Sequence, residues 1–222
     1  MSFGYALDPG YVAAHLGELA LGLGWTVVLT VIGFLLGTLL GLLGAAVRVA
    51  RVPLLSPIVA AAVEFIRTTP LFVQIFFLYF GLPDLGLRAP GFVVASAALV
   101  IWSAAYNVEN FRAAIGAVPR SYHEAALALG LKPRTVFRRI TLPMALRLAM
   151  ASVTNTGVET LKNSALMVAI SFPELTDTAV DLVAVSFRVF EVFTVIGAAY
   201  LLLTAAFTWL MRRLERRMAW PV

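Results

Sequence analysis

Two side chains of opposite charge lie three residues apart in an apolar stretch of this sequence. Glu159 and Lys162 belong to the segment Ile140 to Pro173, and residues three apart share one face of a helix. A charge within a bilayer costs about 2.5–3.5 kcal/mol on insertion scales, so it faces a bundle interior or a wet cavity. Two interpretations stay open: an internal ion pair, or a pocket in which Glu159 receives an ammonium group and Lys162 a carboxylate. Asn155 and Thr156, one turn earlier, would add hydrogen bonds across such a path or between helices.

The elements that position these residues are indicated by the composition. Of the 222 residues, 61% are hydrophobic and 13% are charged, whereas soluble domains are about one quarter charged. The 29 residues between Glu18 and Arg48 contain no Asp, Glu, Lys or Arg, and about 20 apolar residues are enough to cross a bilayer. DNA-binding domains do not contain this much apolar sequence, so the pI of about 10.0 does not indicate a nucleic-acid partner. The chain is expected to be an all-α membrane protein.

Gaps between charged residues predict five transmembrane helices in the lipid bilayer. Two of the five segments contain charged residues. The second contains Glu64 and Arg67, and the fourth contains Arg147 in addition to Glu159 and Lys162. The segments are residues 19–47, 58–80, 89–108, 140–173 and 192–211.

The basic residues give these spans an orientation. With five spans, 13 of the 17 Lys and Arg residues fall on one side of the membrane. They follow span one, flank or fill the stretch between spans three and four, and follow span five. Cytoplasmic connections are rich in Lys and Arg, so the N-terminus is predicted outside and the C-terminus in the cytoplasm.

Span two contains the sequence Arg67-Thr68-Thr69-Pro70. Pro70 has no N–H to donate to the preceding turn, which predicts a kink or, in a sharper interpretation, a gate. In span one, Gly33, Gly37 and Gly41 recur every four residues. Such spacing allows close helix packing and predicts a packing stripe that could form part of a dimer interface.

The connection from about residue 113 to residue 143, here called the coupling loop, is long and has its own pattern. Ser121 is a candidate N-cap with Glu124 three residues later, and Gly130 is a natural helix stop. Pro133 suits the first turn of a second helix that Pro143 would end. Two short helices are therefore predicted, and by amphipathicity alone they would lie on the inner membrane surface.

The spacing in the coupling loop is more specific than amphipathicity requires. Glu124-Ala125-Ala126, then Gly130, Ile140 and Leu142-Pro143 after three, nine and one intervening residues, resembles the EAA motif of permease subunits of ATP-binding-cassette (ABC) importers. In that family the motif forms coupling helices that dock on a cytoplasmic ATPase. The resemblance therefore assigns ATPase coupling to Glu124, Ala125, Ala126, Gly130, Ile140, Leu142 and Pro143.

Span two strengthens the resemblance. The residues from Arg67 to Leu71, followed by Val73-Gln74-Ile75-Phe76-Phe77 and Tyr79-Phe80-Gly81-Leu82-Pro83, are similar to the signature of polar amino acid permeases. Two departures stand out. Tyr122-His123 replaces a frequent Gly-Gln, and Asn163-Ser164-Ala165-Leu166 follows Lys162 where the family often has Asx-Thr-Ser-Leu. One hydroxyl is thus lost and another is shifted, which weakens the transfer of pocket roles from the family. Ser164 is nevertheless grouped with the substrate path.

The resemblance implies a type I ABC importer permease fold, with residues 1–222 forming a single transmembrane domain. It implies a polar or cationic amino acid, or a related zwitterion, as substrate, and a multi-pass location in the bacterial inner membrane. The implied partners are an ATPase dimer that binds ATP and Mg, a second permease chain, identical or homologous, and an extracytoplasmic solute-binding protein.

No catalytic or metal-binding motif is found in the sequence itself. There is no Walker-type loop, no HExxH and no Gly-x-Ser-x-Gly, and Cys is absent. The chain is predicted to be a non-enzymatic subunit without a cofactor of its own. The alternatives are an ion-gradient-driven transporter or channel without an ATPase, which inverted repeats would mark, and a membrane scaffold.

Overall fold

The computed structural model describes residues 8–218, and within that range the chain is helical and contains no strand. The all-α class is confirmed. The α-helices are α1 (Pro9–Ala14), α2 (Leu16–Val49), α3 (Leu55–Thr68), α4 (Leu71–Phe76), α5 (Gly91–Ala117), α6 (Arg120–Ala128), α7 (Pro133–Val136), α8 (Leu142–Asn163), α9 (Leu175–Ser186) and α10 (Val189–Met218). Phe77–Gly81 and Phe137–Thr141 are π-helical, and Leu82–Leu85 and Ser164–Ile170 are 3₁₀ segments.

Among these described residues, three helices are long and apolar enough to cross a bilayer: α2, α5 and α10. A fourth crossing is present if α3 and residues 71–85 form one span, although the chain bends by 107° between them. α8, the helix of the predicted fourth span, does not reach the same threshold and carries Arg147, Glu159 and Lys162.

The centre of the bundle is the contact between α2 and α5. Gly37 and Gly41 of α2 lie against Ser103 and Asn107 of α5, and a Cβ added at either glycine would come within 2.5 Å of those side chains. Gly33 packs in the same way on Leu99. The glycine stripe therefore brings two helices of one chain together. The prediction that this stripe forms part of a dimer interface is wrong for the buried face of the stripe, because α5 occupies that face.

The coupling loop contains one separate helix, α6, which begins at Arg120 after Pro119 and has no side-chain cap. The predicted N-cap at Ser121 is therefore wrong. The predicted stop is confirmed: Gly130 has a φ of +78°, and the N–H of Leu131 donates to the carbonyl of Ala126 at 3.2 Å.

The second predicted short helix is not a separate element. From Pro133 the chain is helical through the π segment Phe137–Thr141 into α8. Pro143 lacks an N–H and its ring crowds the carbonyl four residues earlier, at Arg139. The wider π turn that precedes Pro143 accommodates this, and the helix continues where the sequence predicted an end.

Candidate functional site

α8 presents a polar face to the outside of the folded chain. Asn155, Glu159 and Lys162 follow one another at intervals of four and three residues and are all exposed. Nζ of Lys162 lies 2.6 Å from Oε1 of Glu159, and the two side chains are 52% and 51% exposed. The structure thus brings together three of the residues predicted for a substrate path, on a surface open to a second molecule or to water.

The other two predicted path residues point into the chain. Thr156 is buried, donates to the carbonyl of Ser152 at 3.2 Å and accepts a hydrogen bond from Nδ2 of Asn110 at 2.9 Å. Ser164 is fully buried and donates to the carbonyl of Leu161 at 2.7 Å. In this conformation, both hydroxyls take part in packing within the chain.

Thr156 belongs to a polar network between helices that sequence reasoning missed. Nδ2 of Asn110 also donates to Oδ1 of Asn107 at 3.0 Å, and Nδ2 of Asn107 donates to Oγ1 of Thr38 at 3.2 Å and to Oγ of Ser103 at 3.4 Å. The network joins α2, α5 and α8. The sequence signal for this network is a pair of asparagines, Asn107 within an apolar run and Asn110 just after it. An amide in such a place needs hydrogen-bond partners from neighbouring helices.

The back of α8 is fixed by close packing. A Cβ at Gly157 would come within 2.3 Å of Cζ of Phe207 and 2.9 Å of Cδ2 of Phe34. These two rings meet edge to face with centroids 5.1 Å apart. α8 is therefore held between α2 and α10, and its polar face is turned outward.

The bend after α3 is held by a glutamine side chain. Pro70 cannot donate to the carbonyl of Ile66, and Nε2 of Gln74 donates to that carbonyl instead at 2.9 Å. The same amide also donates to Oγ1 of Thr69 at 2.7 Å. The hydroxyls of Thr68 and Thr69 bond to the carbonyls of Glu64 and Phe65, at 2.7 and 2.8 Å. The Ile66 carbonyl that Pro70 leaves without a backbone donor is thus satisfied locally.

Arg67, the first residue of the predicted kink or gate, connects α3 with α5. Its guanidinium carbon lies 5.2 Å from the centroid of the Tyr106 ring. Tyr106 is stacked in turn on Trp102, with centroids 4.4 Å apart. A cation over an aromatic face is attracted by the ring quadrupole, so this contact ties the bend to the central helix.

Glu174 is a second buried group that sequence reasoning missed. It caps α9, and Oε1 accepts the N–H groups of Thr176 and Asp177 at 2.8 and 2.9 Å. Oε2 accepts from the hydroxyls of Tyr200 and Thr26 at 2.8 and 3.2 Å. Burial raises the pKa of Glu174, while these hydrogen bonds act in the opposite direction. The signal for it is an acidic residue directly after Pro173 at the start of an apolar helix.

The residues assigned to ATPase coupling differ in their exposure. Glu124 and Ala125 are exposed on α6, while Ala126 is 4% exposed and anchors the helix. Gly130 lies in open space. Ile140, Leu142 and Pro143 are half-buried.

A cavity of about 330 Å³ lies beside these residues. It is lined by Ile140 and Pro143 of the motif together with Tyr122, Arg139, Met144 and Arg147. Next to it, Arg134, Arg138 and Arg139 form a basic surface. The coupling loop thus offers an apolar recess and a cationic rim to a partner.

A match to a protein-family model establishes the family. Residues 33–220 match the family described as the binding-protein-dependent transport system inner membrane component. The chain belongs to this family. The resemblance inferred from the EAA spacing is therefore confirmed, and the family's members are membrane subunits of transport systems.

Individual relatives agree with the family assignment. The glutamine transport system permease protein GlnP of Escherichia coli K12 is 33% identical over 195 residues, covering 87% of this chain and 89% of GlnP. The probable amino-acid ABC transporter permease protein PatM of Vibrio harveyi is 32% identical, covering 94% and 97%. A crystal structure of an amino acid ABC transporter with histidines superposes with a TM-score of 0.89 at 32% identity, covering 96% of this chain and 100% of that one. The type I ABC permease-like fold of this family member is thus confirmed.

No metal centre was found in this family member within residues 8–218, where no group of three His, Asp or Glu side chains is close enough to hold an ion. Charged groups lie on the open face of α8, around the coupling loop and at the end of α10.

Proposed function

We propose that this chain is the membrane-spanning subunit of an ATP-driven importer and lines the translocation path for a polar or cationic amino acid. The observation that carries the proposal is the open polar face of α8. Glu159 and Lys162 are half-exposed in a helix that belongs to a membrane bundle. Charged groups at such positions face a water-filled path, so this face is completed by a second permease chain, identical or homologous, rather than by lipid.

The substrate follows from the charges on that face. An α-amino acid carries one ammonium and one carboxylate, and the path offers Glu159 to the first and Lys162 to the second. Their mutual ion pair is half-exposed on the folded chain and would face the water-filled path, where such a pair is worth about 0–1 kcal/mol, so a solute with both charges can replace it. Asn155, on the same face, adds a neutral hydrogen-bonding group. The substrates named for the relatives, glutamine and amino acids, support this class.

Coupling uses the exposed part of the coupling loop. Glu124 and Ala125 dock on a cytoplasmic ATPase dimer that binds ATP and Mg, and α6 follows the closure of that dimer. The helix from Pro133 to Asn163 runs without a break from the coupling loop to Lys162. Movement of its first turns is therefore transmitted directly to the polar face of α8. ATP binding would open the path outward, and hydrolysis would reset it inward.

The proposed topology has five spans. α8 is counted as the fourth because its charged face lines the path, and the bent α3 with residues 71–85 is counted as the second. The distribution of Lys and Arg supports an N-terminus outside and a C-terminus in the cytoplasm of the bacterial inner membrane. A solute-binding protein would deliver the amino acid on the outer side.

The path is tested with Glu159→Gln in proteoliposomes that contain the permease, its ATPase and its solute-binding protein. We expect substrate-stimulated ATP hydrolysis and uptake to fall about tenfold, the effect of losing about 1.4 kcal/mol of substrate binding. Thermal stability should not change, because the pair is exposed. Glu18→Gln, at the exposed start of α2, is the matched control. Normal uptake by Glu159→Gln would show that the pair is structural.

The coupling role is tested separately with Glu124→Lys. Because Glu124 is exposed and far from α8's polar face in sequence, the variant should insert normally, bind the ATPase poorly and lose uptake. Co-purification with the ATPase and uptake are the two measurements. Uptake driven by an ion gradient in the absence of any ATPase would overturn the proposal in favour of a secondary transporter or channel.

A further inference from the structure

The last part of α10 carries an open groove of about 620 Å³ that neither the polar face of α8 nor the coupling loop uses. Its lining includes Leu201, Thr208, Trp209, Arg212, Arg213 and Arg216. The residues at positions 201, 205, 208, 212 and 216 recur at helical spacing, so they share one face of α10. From residue 201 to residue 216 this face is about 22 Å long.

The groove changes character along its length. Its first part is apolar and open, with Leu201 71% exposed. Trp209, 62% exposed, marks the change, and the guanidinium of Arg213 lies 5.4 Å from the centroid of its ring. Beyond this point the sequence from Arg212 to Arg217 contains four arginines and one glutamate. Within residues 8–218, no ion pair joins these arginines to an acidic side chain.

The change from an apolar to a basic lining along the groove restricts what can occupy it. The apolar part lies within a helix that is long and apolar enough to cross the bilayer, so a soluble protein cannot reach it. A second copy of this chain, related by a twofold axis, would bring the two arginine clusters together, and like charges repel. The occupant must combine a hydrocarbon tail with an anionic head, and tryptophan is the residue that marks the boundary between them.

We propose that this face of α10 is a binding site for an anionic phospholipid, whose acyl chain lies along Leu201 to Thr208 and whose phosphate contacts Arg212, Arg213 and Arg216. The site relies on the proposed function only for the placement of α10 across the bilayer. If the lipid proposal failed, the import proposal would be unaffected, since the lipid-binding test contains neither ATPase nor amino acid.

The test is quenching of Trp209 fluorescence by brominated lipid. The full-length chain carrying Trp25→Phe, Trp102→Phe and Trp220→Phe retains Trp209 alone and is reconstituted in phosphatidylcholine vesicles. Brominated phosphatidylglycerol or brominated phosphatidylcholine is then added at equal mole fractions. Each basic residue near an anionic surface contributes about 1 kcal/mol, or about fivefold in affinity. We expect phosphatidylglycerol to be selected over phosphatidylcholine at least fivefold.

Replacement of the three arginines, Arg212→Gln, Arg213→Gln and Arg216→Gln, should reduce this selectivity to about one. The triple Lys variant at the same positions should retain it. The control replaces Arg134, Arg138 and Arg139 by Gln, an equal loss of charge outside the α10 groove, and should retain the selectivity as well. If the triple Gln variant does not fold, Arg216→Gln alone should lower the selectivity about fivefold.

Three results would overturn the proposal. The first is equal quenching by both brominated lipids in the chain with all of its arginines. The second is undiminished selectivity after the α10 arginines are replaced. The third is an equal loss of lipid selectivity in the control variant, which would show that only the total charge of the chain matters.

Discussion

The hydroxyl of Tyr200 donates a hydrogen bond to Oε2 of Glu174 over 2.8 Å, and the carboxylate that receives it also caps α9. One buried side chain thereby holds the start of α9 against α10 and, through Thr26, against α2. The carboxylate thus fixes α2, α9 and α10 relative to one another.

Glu174→Ala is expected to lower the free energy of unfolding by about 2–3 kcal/mol, because it removes a helix cap and leaves buried hydroxyls without their acceptor. Glu174→Gln should cost less. Its carbonyl oxygen can still accept from the α9 N–H groups, and its amide can donate to the hydroxyls of Tyr200 or Thr26. Thermal unfolding of both variants in detergent gives the comparison. Equal losses in the two variants would contradict the geometry described.

Asp177 makes stability depend on pH. Burial, together with the charges of Asp181 and Glu174, raises the pKa of Asp177 from 3.8 to about 6. The folded chain therefore holds this proton more strongly than the unfolded chain does, and stability falls as the pH rises from about 4 through 6. Asp177→Asn should match the unsubstituted chain in Tm at pH 4 and exceed it by a few degrees at pH 7. A Tm difference that does not change with pH would refute this assignment.

Gly157 is expected to tolerate no side chain. Gly157→Ala places a Cβ within 2.3 Å of Cζ of Phe207, so helices must move apart, at a cost of about 1–3 kcal/mol. The matched control is Gly197→Ala in α10, where a Cβ meets nothing within 4 Å. That substitution should be neutral or stabilising by up to about 1 kcal/mol, since alanine is the better helix former. The opposite ranking of the two Tm values would show that α8 is not packed as described.

Gln74→Leu should loosen the bend after α3. It removes the donor that satisfies the Ile66 carbonyl and breaks the bond to Thr69, at a cost of about 1–3 kcal/mol. Val73→Leu, at an exposed neighbouring position, is the control and should be silent. Unfolding in detergent measures the stability, and hydrogen exchange at residues 66–74 measures the local opening. Unchanged exchange in Gln74→Leu would show that the amide does not hold the bend.

The fold class and the family could be predicted from local sequence. Long uncharged runs locate α2, α5 and α10, because crossing a bilayer requires apolar length and little else. The EAA spacing located the coupling loop and its family. Gly130 follows the end of α6 as expected, since glycine has no Cβ and adopts the left-handed conformation without strain. These features are set by neighbours along the chain.

Features that depend on contacts between distant residues could not be predicted from local sequence. Pro143 was expected to end a helix, but the π turn before it absorbs the steric conflict. The glycine stripe of α2 fitted a dimer interface as well as an internal contact, and only the position of α5 decides between them. Thr156 and Ser164 are polar residues of the same helix as Glu159, or of its continuation, yet they are turned inward.

The sequence alone determined that this protein is an all-helical membrane subunit with a long loop that carries the EAA spacing, because hydropathy and motif spacing are properties of the chain itself. The tertiary structure decided which polar residues form its interior and which form its open face. That division depends on helix rotation, and rotation is fixed by contacts between distant residues, such as Gly157 with Phe207 and Glu174 with Tyr200. A helix in isolation has no preferred partner for either face, so only packing turns Glu159 and Lys162 outward.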